Sequence, residues 1–298
     1  MALNLHYLRV FAAVADRRGF TKAAAALHLS QPAVSKAVRG LERQLGTPLL
    51  ERGGGAARGV RLTEAGVALH ARARELFAVE RTAEEEQRAL RGLEGGTLRV
   101  GASTTVATYL LPRLLGRFRA RHPGVELRVT TANTRGVARR LLQRRLDVAL
   151  VEGPVAHPRL EVVPWRDDAL VLIAPADHPL VRRRRVAPDA LAAEPFIARE
   201  RGSGTRRVAE SALRAAGLTP RRVLTLGSTE AVTQAVAAGL GLSLVSELAA
   251  ADQLALGRIG LVRAAGLPVR RALTRLRLAG REPSAAARAF EELLESER

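Results

Sequence analysis

Three short runs set hydroxyl and glycine residues where an extended segment gives way to a helical one: Ser103-Thr104, Gly202-Ser203-Gly204-Thr205 and Gly227-Ser228-Thr229. A helix start leaves its first amides unbonded and carries the positive end of the helix dipole, so it suits an anion. With Asn133, which follows a further strand, these residues form a candidate polar cradle for a small anion. For any single serine or threonine, capping of its own helix explains the position as well or better. Several of them at strand ends point to a pocket. Glu152 also ends a strand-like run, Asp147 to Gly153. A carboxylate suits an anion site only if it pairs with Arg201 or Arg206, or hydrogen-bonds a protonated part of the ligand. The candidate ligand set is thus Ser103, Thr104, Asn133, Glu152, Ser203, Thr205, Ser228 and Thr229.

Other chemistries find no residues to carry them. The chain has no cysteine, which removes disulfides and thiolate metal sites. His6, His28 and His70 lack the spacing of a metal pair, while His122, His157 and His178 each precede proline and mark turns. No metal and no cofactor is expected. The Gly202 to Arg207 segment lacks the third glycine and the preceding buried strand of a dinucleotide site, and no phosphate loop ending in Gly-Lys-Ser/Thr is present. No nucleophile, base and acid stand together, so catalysis is not expected. The four arginines from Arg182 to Arg185 read as a solvated loop.

A second group of polar residues lies near the N-terminus, in a segment with its own logic. Leu5, Leu8, Val10, Phe11, Val14 and Ala15 recur at helical spacing and define a first helix. Thr21 is placed to cap a short alanine-rich helix from Lys22 to Leu27, and Ser30 to cap a third, with Pro32 tolerated in its first turn. Val34, Val38, Leu41 and Leu45 give the third helix an apolar stripe, with Gln31, Ser35, Lys36, Arg39 and Arg43 lying away from it. Short helix, tight turn and a second helix with a small polar start describe a helix-turn-helix. In that motif Gln31 could hydrogen-bond a base edge, Ser30 and Ser35 suit phosphates, and Lys36 and Arg39 add backbone contacts. The plainer reading is an amphipathic helix with a solvated charged face. Residues 47–62 favour the sharper one: two β-prone pieces flank a glycine-rich tip, as in a wing, where Arg52, Arg58 and Arg61 could reach flanking phosphates.

Charge agrees with this placement. Residues 1–62 hold ten basic and three acidic side chains, net +7 of the chain's +19, so positive density peaks at this end and suits a polyanion. Lys22 and Lys36 are the only lysines, and the arginine bias raises charge throughout the chain. No signal peptide or membrane-spanning run is recognisable, so the expected location is the cytoplasm, with no membrane partner.

Thr63 caps a proline-free helical segment from Glu64 to about Leu93, in which Leu69, Leu76, Ala83 and Leu90 fall seven residues apart. That seam implies pairing of two chains; the plainer reading is packing against the rest of the same chain. Gly95-Gly96 marks a joint. Beyond it short apolar strands alternate with helices in two sets, which implies an α/β arrangement with a largely parallel sheet and a cleft between two lobes. The strands are expected near 98–103, 125–131, 147–153, 169–175, 196–199, 223–227 and 242–246, with crossovers near 163–168 and 262–272. A single helix is expected from Thr104 to Ala120 and another from Val137 to Arg144.

Specific residues then carry a resemblance. Tyr7, Leu8 and Phe11, the run Gly19 to Ala24, Leu29 to Ser35, Leu41 to Arg52, and Leu62 to Gly66 hold the order and separation seen in LysR-type transcriptional regulators. The segment Gly53 to Gly59 is longer and richer in glycine than the usual wing. Ser103 to Thr105, Leu110 to Pro112, Leu146 to Ala149, Asp177 to Leu180 and Ala238 to Gly241 resemble the effector-binding domain of that family. Residues 150–153 and 200–206 are similar to its regulators of sulfur assimilation and carbon fixation. The resemblance implies an α/β chain with a winged helix-turn-helix at 1–62, a linker and dimerisation helix at 63–94, and a periplasmic-binding-protein-like effector domain at 95–298. Within that domain, lobe I would take about 95–164 and 269–298, and lobe II about 165–268. It adds Thr21, Lys22 and Pro32 to the candidate DNA contacts Ser30, Gln31, Ser35, Lys36, Arg39, Arg52 and Arg58. Implied partners are double-stranded DNA, a small anionic effector, a homodimer or homotetramer, and RNA polymerase. The alternatives are a small-molecule-binding protein whose N-terminal helices serve only association and, more weakly, an enzyme using the α/β cleft.

Overall fold

The computed structural model describes residues 2–51, 60–90, 95–219 and 222–297. The chain divides into two compact units, Met1–Glu84 and Glu85–Arg298.

In the first unit, α1 (Leu5–Arg17) starts where the Asn4 side chain accepts from the Tyr7 amide at 3.0 Å and stops at Arg18, in the left-handed region. Helix α2 (Phe20–Leu27) begins two residues earlier than the sequence suggests: Gly19 is its cap residue and no side chain bonds there, so Thr21 is not the cap. Helix α3 (Gln31–Leu45) starts at Ser30, whose Oγ accepts from the Ala33 amide at 3.3 Å, and ends on Gly46 at φ 67°. Its buried face is Val34, Ala37, Val38 and Leu41; Leu45 is exposed, so Ala37 takes the place expected for it. These residues pack with Leu8, Phe11, Val14 and Ala23 into one core that also takes in Leu49, Ala73 and Phe77.

Helix α4 (Glu64–Leu90) turns His70, Ala73 and Phe77 inward. Arg9 of α1 stacks over the Phe77 ring at 4.4 Å and pairs with Glu80, and Asp16 accepts from both His70 and Arg74. The expected helix end near Leu93 lies outside the described residues, as do the wing residues 52–59 with Arg52 and Arg58. At the base of the wing, Leu50 and Leu62 bridge in antiparallel fashion.

The second unit runs β1 (Gly96–Ala102), α5 (Thr104–Tyr109), α6 (Leu111–Arg121), β2 (Val125–Thr131), α7 (Thr134–Leu142), β3 (Val148–Glu152) and β4 (Leu160–Pro175). It continues through α8 (Pro188–Ala192), β5 (Pro195–Arg199), α9 (Gly204–Ala215), β6 (Arg222–Leu226), α10 (Thr229–Ala237), β7 (Ser243–Ser246), α11 (Glu247–Ala255), β8 (Ile259–Leu261), β9 (Val269–Leu278) and α12 (Ala285–Glu295). The single helix expected from Thr104 to Ala120 is two, broken at Leu110 with Pro112 in the first turn of the second. Helix α7 begins at Thr134, three residues ahead of expectation, because the Asn133 side chain accepts from the Gly136 amide at 2.9 Å and starts it there.

Strand order in the main sheet is β2-β1-β3-β9-β4-β7, with β8 also on β4. The expected largely parallel sheet holds for β2-β1-β3 and for the separate β5-β6 pair. Strands β3-β9, β9-β4, β4-β7 and β4-β8 pair antiparallel. The chain crosses from one lobe to the other on β4 and returns on β9, which forces those two strands to run in opposite directions. Their register shifts between Pro164 and Arg166. Both faces of each sheet half are covered: Leu170 and Leu172 join one core, Val171 and Ile173 another. In the other half, Val100, Val148 and Leu150 meet Phe118 and Phe290, while Ala149 and Val151 meet Val137, Leu141 and Leu276. Two-sided burial is why these strands read as continuous apolar runs.

Candidate functional site

In the first unit, the start of α3 presents a polar edge. Ser30, Gln31, Pro32, Lys36 and Arg39 are exposed and Ser35 half-buried, while Thr21 and Lys22 are exposed at the start of α2. Helix periodicity puts the apolar stripe inward, so these polar residues necessarily share the outer side. Lys36, Arg39 and Arg43, with Thr47 and Pro48, line an open groove of about 990 Å³. Glu42 in that groove is already engaged, accepting from the amides of Leu49 and Leu50 at 2.8 and 3.3 Å, so it fixes the turn after α3. What remains, beside the polar start of α3, is a cationic groove along the later turns of that helix, suited to phosphates.

In the second unit, residues expected to form the cradle converge from the carboxyl ends of strands. Ser103 follows β1, Glu152 ends β3, Arg199 ends β5, and Thr229 lies just beyond β6. All four are buried, and so are Thr105, Thr134, Ser203 and Thr205. Glu152 sits at the centre. Ser103 Oγ donates to its Oε2, and the hydroxyls of Thr105 and Thr205 donate to Oε1 at 3.1 and 3.3 Å. Thr105 and Thr229 hydroxyls lie 3.0 Å apart, and Arg199 Nη1 donates to Thr229 at 2.5 Å. Arg271 on β9 donates from Nη1 to Thr205 at 2.9 Å and from Nε to Asp168 at 2.7 Å. Its Nη2 lies 2.6 Å from the same carboxylate but out of line for a hydrogen bond, so the pair is one aligned bond plus a charge contact. Burial pushes the Glu152 carboxyl up, opposed by the charges of Arg271 and Arg199.

The two lobes meet closely here. Thr134 Oγ1 donates to the Glu152 carbonyl at 2.9 Å and accepts from the Gly204 amide at 3.2 Å. A further bond between the lobes runs from Tyr109, which donates to Glu230 at 2.5 Å; burial, then that carboxylate, raises the Tyr109 phenol, while the same bond lowers Glu230.

Several candidates take other parts. Asn133, Ser203 and Ser228 each cap their own helix, accepting from Gly136, Arg206 and Ala231. Thr104 Oγ1 is buried with no hydrogen-bond partner among the described residues. Neither expected partner of Glu152 pairs with it. Arg206 is held by Glu210 at 2.6 Å and the Arg199 carbonyl at 3.0 Å, and Arg201 is exposed. Arg199, Arg271, Asp168 and Thr105 were not identifiable from sequence, although Thr105 adjoins a chosen pair. Arg135 and Arg201 are exposed, and neither forms an ion pair among the described residues.

A helix-turn-helix with a cationic outer edge and a two-lobed fold with strand ends meeting at buried arginines define a ligand-responsive DNA-binding regulator. Comparison with known proteins agrees. Residues 5–67 match the model of bacterial regulatory helix-turn-helix proteins of the lysR family, and residues 91–298 match the LysR substrate binding domain. The chain belongs to the LysR family of transcriptional regulators. It is 39% identical over 297 residues to the RuBisCO operon transcriptional regulator of Allochromatium vinosum, covering 100% of this chain and 97% of the relative. Among solved structures, it resembles the regulatory domain of Synechocystis PCC6803 CcmR in complex with 2-PG. That match has a TM-score of 0.63 at 33% identity and covers 67% of this chain and 96% of the other. It also resembles full-length OxyR from Pseudomonas aeruginosa, with a TM-score of 0.76 at 25% identity over 99% and 95% of the two chains.

Proposed function

We propose that the protein binds a pseudopalindromic promoter site as a homodimer or homotetramer, and that a small anion in the inter-lobe cleft alters that binding. The observation that carries the effector half is the convergence of strand ends from both lobes on Arg199, Arg271 and the hydroxyls around Glu152. The 2-PG held by the CcmR domain is an anion of the proposed kind, and the relatives named for RuBisCO operons suggest a carbon-fixation operon as target. Pairing is supported by α4, where Leu76, Val79 and Ala83 are exposed at three- and four-residue spacing. Such a regulator acts on cytoplasmic DNA, contacts RNA polymerase at the promoter and turns over no substrate. Among the described residues no helix is long and apolar enough to cross a membrane. The proposed boundaries keep 1–62 for DNA, 63–94 for pairing and 95–298 for the effector.

Ligand closure of the lobes would change the spacing of the DNA-binding heads. Thermal unfolding with sulfate, phosphate and 2-PG tests the effector half. A saturating ligand at a hundredfold its Kd adds about 2.7 kcal/mol. No shift with any of them would remove the anion.

The DNA half predicts a contrast between two variants. Gln31→Ala should reduce discrimination between the chain's own upstream DNA and random DNA by about 1–3 kcal/mol, with little change on random DNA. Lys36→Ala should weaken both and lower the salt slope by about one. Titrations at several salt concentrations decide. Equal loss on both DNAs for Gln31→Ala contradicts a base contact, and an unchanged slope for Lys36→Ala contradicts a phosphate contact.

A further inference from the structure

We infer that Glu152 is an internal anion that competes with the effector for the floor of the cleft; this rests on the anion-binding reading above. A bound oxyanion is stabilised by hydroxyls and guanidinium groups taken out of water. At this site those donors are committed to a side chain of the protein itself. Ser103 and Thr105 of one lobe and Thr205 of the other donate to the two Glu152 oxygens, and Glu152 is only 1% exposed. Arg199 and Arg271 supply positive field around it.

A hydroxyl hydrogen serves one acceptor at a time. An effector oxyanion can therefore take Ser103, Thr105 or Thr205 only as Glu152 gives them up, and two negative charges sharing this buried space repel strongly. The charged groups facing Glu152 are themselves paired with other carboxylates. From β5, Arg199 is bonded to Glu200 at 2.9 and 3.1 Å, and from β9, Arg271 is paired with Asp168 of β4. The groups on α5, α9 and α10 are hydroxyls, those of Thr105, Thr205 and Thr229. Protonation resolves the conflict. A neutral Glu152 no longer repels the oxyanion and can donate to it, and burial, which pushes this carboxyl up against the pull of Arg271 and Arg199, eases uptake of the proton that the charged form lacks. Effector binding then takes up a proton, so affinity rises as pH falls.

An ordinary ligand contact or a purely structural acid predicts otherwise, which makes the sign of one substitution decisive. The affinities of sulfate and 2-PG for the full-length protein are measured by calorimetry in wild type and Glu152→Gln, with a pH series on sulfate, whose own charge stays fixed. Glu152→Gln should bind about tenfold tighter or better, and its sulfate affinity should be flat with pH where that of wild type rises on acidification. Weaker or unchanged binding in the variant, or a wild-type affinity that is flat or falls on acidification, overturns the inference while the effector site stands. No binding of either anion to either protein removes the anion-binding reading and this inference with it. If Glu152→Gln does not fold, as judged by circular dichroism, the wild-type pH series decides by the same sign.

Discussion

Asp168→Ala is expected to cost the second unit about 3–5 kcal/mol of folding stability, because it leaves a buried arginine charge without its counter-ion. Asp168 accepts from Ser246 at 2.7 Å on one oxygen and from Arg271 on the other, and both members of the ion pair are almost fully enclosed. Arg271 is also the donor to Thr205, so loss of Asp168 frees the guanidinium beside Glu152 and loosens the start of α9. Asp168→Asn, whose single amide oxygen can still accept from Arg271 while its amide nitrogen donates to the Ser246 hydroxyl, should lose less. Removing both charges, Asp168→Leu with Arg271→Met, should recover much of the loss, since the cost lies in the orphaned charge rather than in the missing pair. Urea unfolding of the three variants settles this. A single-site loss under about 1 kcal/mol would mean that water reaches Arg271.

Gly204→Ala is the second large effect. A methyl at Gly204 would stand 1.7 Å from the Glu152 carbonyl oxygen, and one at Gly153 would stand 2.8 Å from Gly204 itself. Backbone meets backbone here, where β3 of one lobe touches the first turn of α9 of the other, and neither side has a flexible end to move aside. Gly153 also adopts φ 80°, a conformation that favours glycine. The alanine should push α9 from β3, break the Thr134 bridge and separate the hydroxyls on Glu152. Overpacking of this kind costs about 1–3 kcal/mol, occasionally more, and for a unit of this size each kcal/mol lowers Tm by about 2–4 °C. The same variant should lose anion-induced stabilisation and show faster amide exchange at the start of α9. Unchanged melting and unchanged exchange would mean that the lobes tolerate the separation.

Much of the first unit was legible because its signals are local. The apolar spacing of Val34, Val38 and Leu41, a Ser30 cap, Pro32 in the first turn and Gly46 at the end set the limits of α3 within the segment itself. Where local signals compete, the reading slipped: Thr21 looked like a cap, but Gly19, extended and without a side chain, starts α2. Phe20 then joins the helix and packs against the core. Leu110 broke a helix that periodicity ran through, because helical spacing on either side does not reveal a change of axis.

In the second unit, sequence alone determined the alternation of strands and helices and put Ser103, Glu152 and Thr229 at strand ends, since a hydroxyl or acid closing an apolar run is a local pattern. It also placed Ser203 and Ser228 at helix starts, where both cap, whereas Asn133 was read only as following a strand and caps a helix that begins three residues ahead of expectation. Tertiary structure alone decided which of forty-six arginines enter the interior. Arg199 and Arg271 carry no mark in their neighbourhoods that Arg201 and Arg206 lack. They are buried because β5 ends beside Thr229 and because β9 pairs with β4 in the register that sets Arg271 across from Asp168, 103 residues earlier. A buried charge is selected by the partner that meets it, and that meeting is fixed by strand register over long separations, which no local pattern encodes.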